Sequence, residues 1–197
     1  MNRPIIDRTS VLNYFERIDL AVDSSSAVYV TGETSLVVEG WKPWTGAITI
    51  CLNPGNEGTR LVQSLRSVAE ELDATLVIEH PGDVIPLPGG YQDRARPIDG
   101  SHWSRDIRLN LYHFDPYSVS FRAIARGSEP DYHLVIQFLE HGWCLVDEME
   151  TRLIDLLPAF SFETIQQDPA EFRRRYSGLM QMWRRRHPEA VIQTMNN

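Results

Sequence analysis

Apolar positions recur along this chain with two different periods, and the switches between them outline its elements. Val11, Leu12, Phe15, Ile18, Ala21 and Val22 return at helical spacing, which predicts an amphipathic helix over 8–22 with Thr9 and Ser10 as candidate caps. Asp23-Ser24-Ser25-Ser26 ends it. Val28-Tyr29-Val30 then reads as a strand stopping at Thr31-Gly32, Ser35 to Val38 as a short helix ending at Gly40, and Ala47 to Leu52 as a second strand. Beyond the turn cluster Asn53-Pro54-Gly55-Asn56, the residues Leu61, Val62, Leu65, Val68, Ala69 and Leu72 mark the inner face of a helix over 58–71. Thr75 to Glu79 is a third strand.

The pattern then lapses. Residues 80–104 are rich in Pro, Gly and Asp and read as one long loop, a feature that in compact domains is commonly functional. Alternation resumes at Arg105 to Phe114, with Ile107, Leu109 and Leu111 on one face of a strand. Asp115-Pro116 is a helix start, the Asp as N-cap and the Pro at the first helical position. Helical spacing dominates from there, with helices predicted near 116–126, 130–141, 148–157 and 169–185. Asp147 and Glu150 have capping-box spacing, and Asp168-Pro169 repeats the earlier start signal. The expectation is an α/β (α+β) fold: a mixed sheet with flanking helices over 1–114, followed by a helical bundle over 115–197.

Composition narrows this in a few respects. The net charge of −8 speaks against a general nucleic-acid or membrane coat, while leaving room for a local basic patch. Such a patch exists: Arg173-Arg174-Arg175 and Arg184-Arg185-Arg186 lie close together near the C-terminal end, so Arg184, Arg185 and Arg186 are candidate anion-binding residues. The opposing reading is a solvated helix face or pairing with the chain's own acids. Cys51 and Cys144 show no metal or redox spacing and are expected to be free, reduced thiols. No apolar run has membrane-spanning length and the N-terminal residues lack a signal-peptide pattern, so a cytoplasmic protein without a membrane partner is expected.

The strand–turn–helix over Val28 to Val38 aims backbone N–H groups beyond the first strand, which makes Gly32, Thr34 and Ser35 candidates for holding a nucleotide or another anion. The same stretch resembles the opening of the nucleotidyltransferase fold, in the branch of small bacterial proteins related to abortive-infection and minimal nucleotidyltransferase toxins. The likeness rests on Gly32-Glu33-Thr34-Ser35, on Thr45 two positions before the second strand, and on Pro81-Gly82-Asp83-Val84-Ile85-Pro86. Tyr112-His113-Phe114-Asp115-Pro116-Tyr117 and Arg126-Gly127 with Asp131 continue it, so that it covers about residues 28–140. It implies a nucleotidyltransferase-like α/β core and adds Thr45 to the nucleotide-binding candidates. It also implies a toxin–antitoxin type of setting, with a nucleotide, RNA or protein as partner.

Nucleotidyl transfer uses two Mg²⁺ ions held by carboxylates, two of them on one strand at alternate positions and a third on its neighbour. The resemblance puts those acids at Ala47, Thr49 and Val77, none of which is acidic. It implies a Lys near Ala123 and an Asp at Leu134, where the chain is again apolar. The chain is therefore expected to keep the fold without the catalysis, with no catalytic residues, metal or cofactor, and to bind a partner macromolecule or a nucleotide through the inherited cleft. The alternative is an active metal-dependent nucleotidyltransferase, toxin-like, transferring a nucleotide to RNA or protein with Mg²⁺ held by Glu33, Glu79 and Asp83. Trp41, Trp44 and Trp103 are placed beside the cleft, where they either stack on a ligand or pack against the sheet. Asp93 is a further loop acid. His113 near Asp115 suggests acid–base chemistry, but Asp115 is better explained as a cap. His80, His102, His133 and His141 lack ligand spacing.

Overall fold

The computed structural model describes residues 5–52, 60–98, 108–160 and 167–188 of the chain. Its first strand, β1 (Ile6–Asp7), leads directly into helix α1 (Arg8–Ala21). The helix is capped by Asp7, whose carboxylate accepts from the backbone N–H of Ser10 at 2.8 Å; Thr9 and Ser10, the caps expected from the sequence, lie inside the helix. Asp takes this role because it lies one residue before the first helical position and satisfies an otherwise unpaired N–H of the first turn.

Next come β2 (Ser26–Val30), α2 (Gly32–Val38), β3 (Trp44–Thr45) and β4 (Ile48–Leu52). Helix α3 (Arg60–Glu71) and β5 (Leu76–Ile78) follow. The expected loop over 80–104 is partly structured: Pro81–Asp83 and Tyr91–Arg94 form single turns, and Arg96–Pro97 is a strand, β6. The strand β7 (Leu109–His113) completes a five-stranded mixed sheet of order β5-β4-β2-β7-β6. In it β2 runs antiparallel to β4 and parallel to β7, while β4 and β5 are parallel. β6 pairs antiparallel with β7 at the sheet edge, where Pro97 is tolerated. β1 and β3 form a separate two-stranded ribbon. Residues 105–107 of the predicted strand, Ile107 among them, lie outside the described residues, as do His102 and Trp103.

One face of the larger sheet is covered by α1 and α3. Val28, Val30, Ile48, Ile50, Leu109 and Leu111 point to it at every second position and meet Phe15 and Ile18 of α1 and Leu65 of α3. Each such fully buried aliphatic side chain contributes about 1.5–3 kcal/mol, which makes this layer the main source of the sheet's stability. Two buried polar groups orient the helices. Tyr14 Oη donates to the Leu65 carbonyl at 2.8 Å, tying α1 to α3. Asp19, 2% exposed, accepts from the backbone N–H groups of Arg108 and Leu109, both at 2.7 Å, and so fixes where β7 begins.

The chain divides into two compact units, one of Met1–Pro81 with Gly90–Val119 and one of Gly82–Gly89 with Ser120–Asn197. The first holds both sheets. Helix α4 (Pro116–Arg126) starts in it and ends in the second, which also contains α5 (Glu129–Glu140), α6 (Val146–Leu156) and α7 (Pro169–Arg186). Phe121, Phe138, Trp143 and Phe172 are buried there, with Phe138 and Trp143 ring centroids 5.2 Å apart and Phe121 and Phe172 6.2 Å apart. Ser128 and Asp131 form a reciprocal capping box at the start of α5. Asp168 caps α7 as its sequence predicts, accepting from Ala170 N–H at 3.0 Å. The expected Asp147–Glu150 box is absent, because α6 begins two residues earlier, at Val146. Leu145 is its N-cap and Asp147 falls within the first turn, where its charge suits the helix dipole. No helix among the described residues is long and apolar enough to cross a membrane.

Candidate functional site

The candidate site lies in the first unit, on the sheet face opposite α1 and α3. Strand alternation puts Ala47, Thr49 and Cys51 on that side, because Ile48 and Ile50 point into the core. Thr49 is registered against Val77 of β5, so the two share a face on adjacent strands. Those are the positions where the metal-binding carboxylates of a nucleotidyl-transfer site were expected to stand. A small hydroxyl and a branched alkyl group occupy them.

Above Thr49, β2 gives way to α2 at Gly32, whose φ of +59° is the left-handed conformation that a side chain disfavours. A β-carbon there would come to 3.9 Å from the Thr49 side chain, so the turn sits closely over this strand. Three hydroxyls that sequence reading assigned to a nucleotide serve the fold instead. Thr34 Oγ1 accepts from Thr49 N–H at 2.9 Å and donates to the Ala47 carbonyl at 3.1 Å, pinning α2 to β4. Ser35 Oγ donates to the Val30 carbonyl at 3.3 Å. Thr45 Oγ1 lies 3.1 Å from the Ala47 carbonyl and accepts from Ala47 N–H at 3.4 Å. All three side chains are buried. A ligand would have to compete with these bonds for each hydroxyl.

The candidate substitute acids are placed differently from one another. Glu33, in the first turn of α2, forms an ion pair with Lys42 and lies 3.5 Å from Thr45 Oγ1. Lys42 is also 5.8 Å from the centre of the Trp44 ring, and Trp44 is 48% exposed. Glu79 follows β5, half-buried, with Thr31 Oγ1 at 3.4 Å from its carboxylate. Asp83 belongs to the second unit and Asp93 is exposed on the Tyr91–Arg94 turn. Among the described residues, no three His, Cys, Asp or Glu side chains come together in a way that could hold a metal ion.

Sequence reading did not mark Lys42 or Glu39, since neither belongs to a motif, and Glu39 finds its partner 74 residues away, at His113. Glu39, at the end of α2, has its carboxylate 2.8 Å from His113 Nε2. His113 is 1% exposed, and burial pushes its pKa below the ordinary histidine value despite the carboxylate beside it. The hydrogen bond from His113 in turn holds Glu39 below the usual glutamate range. A neutral imidazole whose Nε2–H donates to an ionised Glu39 satisfies both shifts.

The Tyr112–Tyr117 motif is structural in its details. Tyr112 stacks on Tyr29 at 5.5 Å, and Phe114 stacks on Tyr91 at 5.8 Å. Asp115 accepts from Tyr117 N–H at 3.3 Å, Ser118 N–H at 3.2 Å and Ser118 Oγ at 2.6 Å. It also receives a two-pronged contact from Arg94, at 2.7 and 2.9 Å. His80 lies edge-on to Phe114.

In the second unit, Arg126 pairs with Asp131, which accounts for that motif as a helix junction around Gly127. Ala123 and Leu134, where the resemblance implies a Lys and an Asp, are 1% and 2% exposed. Arg174 and Arg175 share Glu171, whose pKa their hydrogen bonds lower to about 2. Arg184 lies 3.8 Å from Glu150, while Arg185 and Arg186 are exposed at the end of α7. His133 is 3.8 Å from Glu129, and His141 caps the end of α5. Cys51 and Cys144 are buried thiols that form no disulfide. The chain matches no protein-family model, no curated protein and no solved structure.

Proposed function

We propose that this chain is a nucleotidyltransferase-fold protein whose catalytic acids have been replaced, and that it binds a partner macromolecule through the face around Gly32, Trp44 and Thr49. The observation that carries the proposal is the Thr49–Val77 pair. Neutral side chains stand at the two registered positions of adjacent strands where the chemistry needs anionic oxygens. Glu33, the acid of the Gly32 turn, is already paired with Lys42. A triphosphate with its metals would therefore meet one carboxylate, Glu79, where several are required.

A macromolecular partner is favoured over a free nucleotide because the Thr34, Ser35 and Thr45 hydroxyls are committed to internal hydrogen bonds. Exposed Trp44 beside Lys42 supplies the kind of aromatic and cationic contact that anchors macromolecular interfaces. The placement of Glu79 beside Thr31 favours a second reading, an active metal-dependent nucleotidyltransferase with a rearranged acid set. Calorimetric titration of the full chain with Mn²⁺, alone and with each nucleoside triphosphate, separates the two. The proposal expects no saturable metal binding by the natural chain and its appearance in the Ala47→Asp/Thr49→Asp variant. Tight metal binding by the natural chain would contradict it.

A further inference from the structure

Strand β5 is the outermost strand of the larger sheet among the described residues. Its three residues are Leu76, Val77 and Ile78, and the last two are exposed, each at 36%. Ile48 N–H donates to the Thr75 carbonyl and Glu79 N–H to the Ile50 carbonyl, so Thr75, Val77 and Glu79 turn their backbone groups toward β4. By alternation, Leu76 and Ile78 direct their N–H and C=O groups outward, away from the sheet. A flat apolar edge of this kind is a template for another strand.

We propose that this edge pairs with the same edge of a second copy, giving a two-fold dimer with a continuous sheet. The backbone is self-complementary about Val77. In an antiparallel pair centred there, Leu76 faces Ile78 of the other copy and each exchanges both backbone hydrogen bonds. Beside the edge, a groove of about 350 Å³ has Ala69, Ala74, Leu76 and Ile78 as its apolar lining and Arg66 and Glu70 of α3 as its charged lip. The charges are self-complementary too. A two-fold axis relating the α3 helices puts Arg66 of each copy opposite Glu70 of the other. Within one helix Arg preceding Glu by four residues is the weaker order for an ion pair, which leaves both groups available to a partner. Stable interfaces bury about 1,200–2,000 Å² in total, and a three-residue strand with one helix face lies at or below the lower bound. The dimer is therefore weak and reversible. This inference is independent of the proposed partner face around Gly32.

The test is sedimentation velocity of the full chain from low micromolar to several hundred micromolar. A reversible monomer–dimer equilibrium is expected. Ile78→Pro removes an outward N–H without touching the β4 ladder, and Arg66→Glu and Glu70→Arg each place like charges face to face. Each should raise the dissociation constant about tenfold or more, with unchanged circular dichroism. The double variant Arg66→Glu/Glu70→Arg should dimerise like the natural chain, and mixing the two single charge variants should yield a heterodimer. A monomer at every concentration would overturn the proposal. So would a dimer indifferent to all of these changes, or an edge that accepts a foreign extended peptide but no second copy.

Discussion

Replacing Asp115 tests whether the Tyr112–Tyr117 motif acts through structure. Its side chain is fully buried and serves as a helix cap and as the partner of Arg94, whose side chain is 20% exposed. Loss of an N-cap costs about 1 kcal/mol. Breaking a buried ion pair by removing one member costs about 3–5 kcal/mol, and the partial exposure of Arg94 puts this pair toward or below the lower end of that range. Asp115→Ala should therefore lower unfolding stability by about 3–4 kcal/mol, and Asp115→Asn, which keeps an acceptor for the cap, by about 2 kcal/mol. Urea denaturation followed by tryptophan fluorescence reads both. A cycle with Arg94→Met should return a coupling of about 2 kcal/mol between the two residues. If Asp115→Ala stays within about 0.5 kcal/mol of the natural chain, the aspartate is not the structural anchor described above.

Three further outcomes follow from the same geometry. Thr34→Val leaves Thr49 N–H without its partner and the Ala47 carbonyl with Thr45 Oγ1 alone, so it should cost about 1–3 kcal/mol in the same denaturation assay; an unchanged stability would mean that α2 is not pinned to β4 in this way. His113 and Glu39 both have folded pKa values lowered, so the unfolded chain binds more protons than the folded one in acid. Their stabilisation is fully present above the ordinary histidine value, about 6.5. It should decline as pH falls below that value, and further below the ordinary glutamate range; His113→Gln should flatten the first part of the decline. Both cysteines, 1% exposed, should react with a thiol reagent without reductant once the protein is denatured, and slowly before that; finding no titratable thiol would contradict the structure.

Much of the fold was legible because it is local. The alternation of Val28, Val30, Ile48 and Ile50 and the Asp-Pro starts of α4 and α7 are short-range signals, and the strands and helices stand where those signals put them. The β1–β3 ribbon and β6 were not legible, since two-residue strands have no period and exist only through partners far along the chain. Asp7 prevailed over Thr9 and Ser10 because it lies one residue before the first helical position, a boundary that composition alone leaves open. At the candidate site, only the resemblance linked Thr49 and Val77; their pairing on adjacent strands appears in the sheet register. What sequence reading missed was that the hydroxyls of Thr34, Ser35 and Thr45 are spent on neighbouring backbone, and that Lys42 pairs with Glu33. Side-chain pairings across a loop leave no periodic trace.

A transfer assay tests most directly the proposal that this chain keeps a nucleotidyltransferase-type fold without the acids for its chemistry. The natural chain and its Ala47→Asp/Thr49→Asp variant would each be incubated with Mg²⁺ or Mn²⁺ and every labelled nucleoside triphosphate, with tRNA and protein as acceptors. No label should be transferred by the natural chain, whatever the metal or nucleotide. Metal-dependent transfer by the natural chain, abolished by Glu79→Gln, would contradict it.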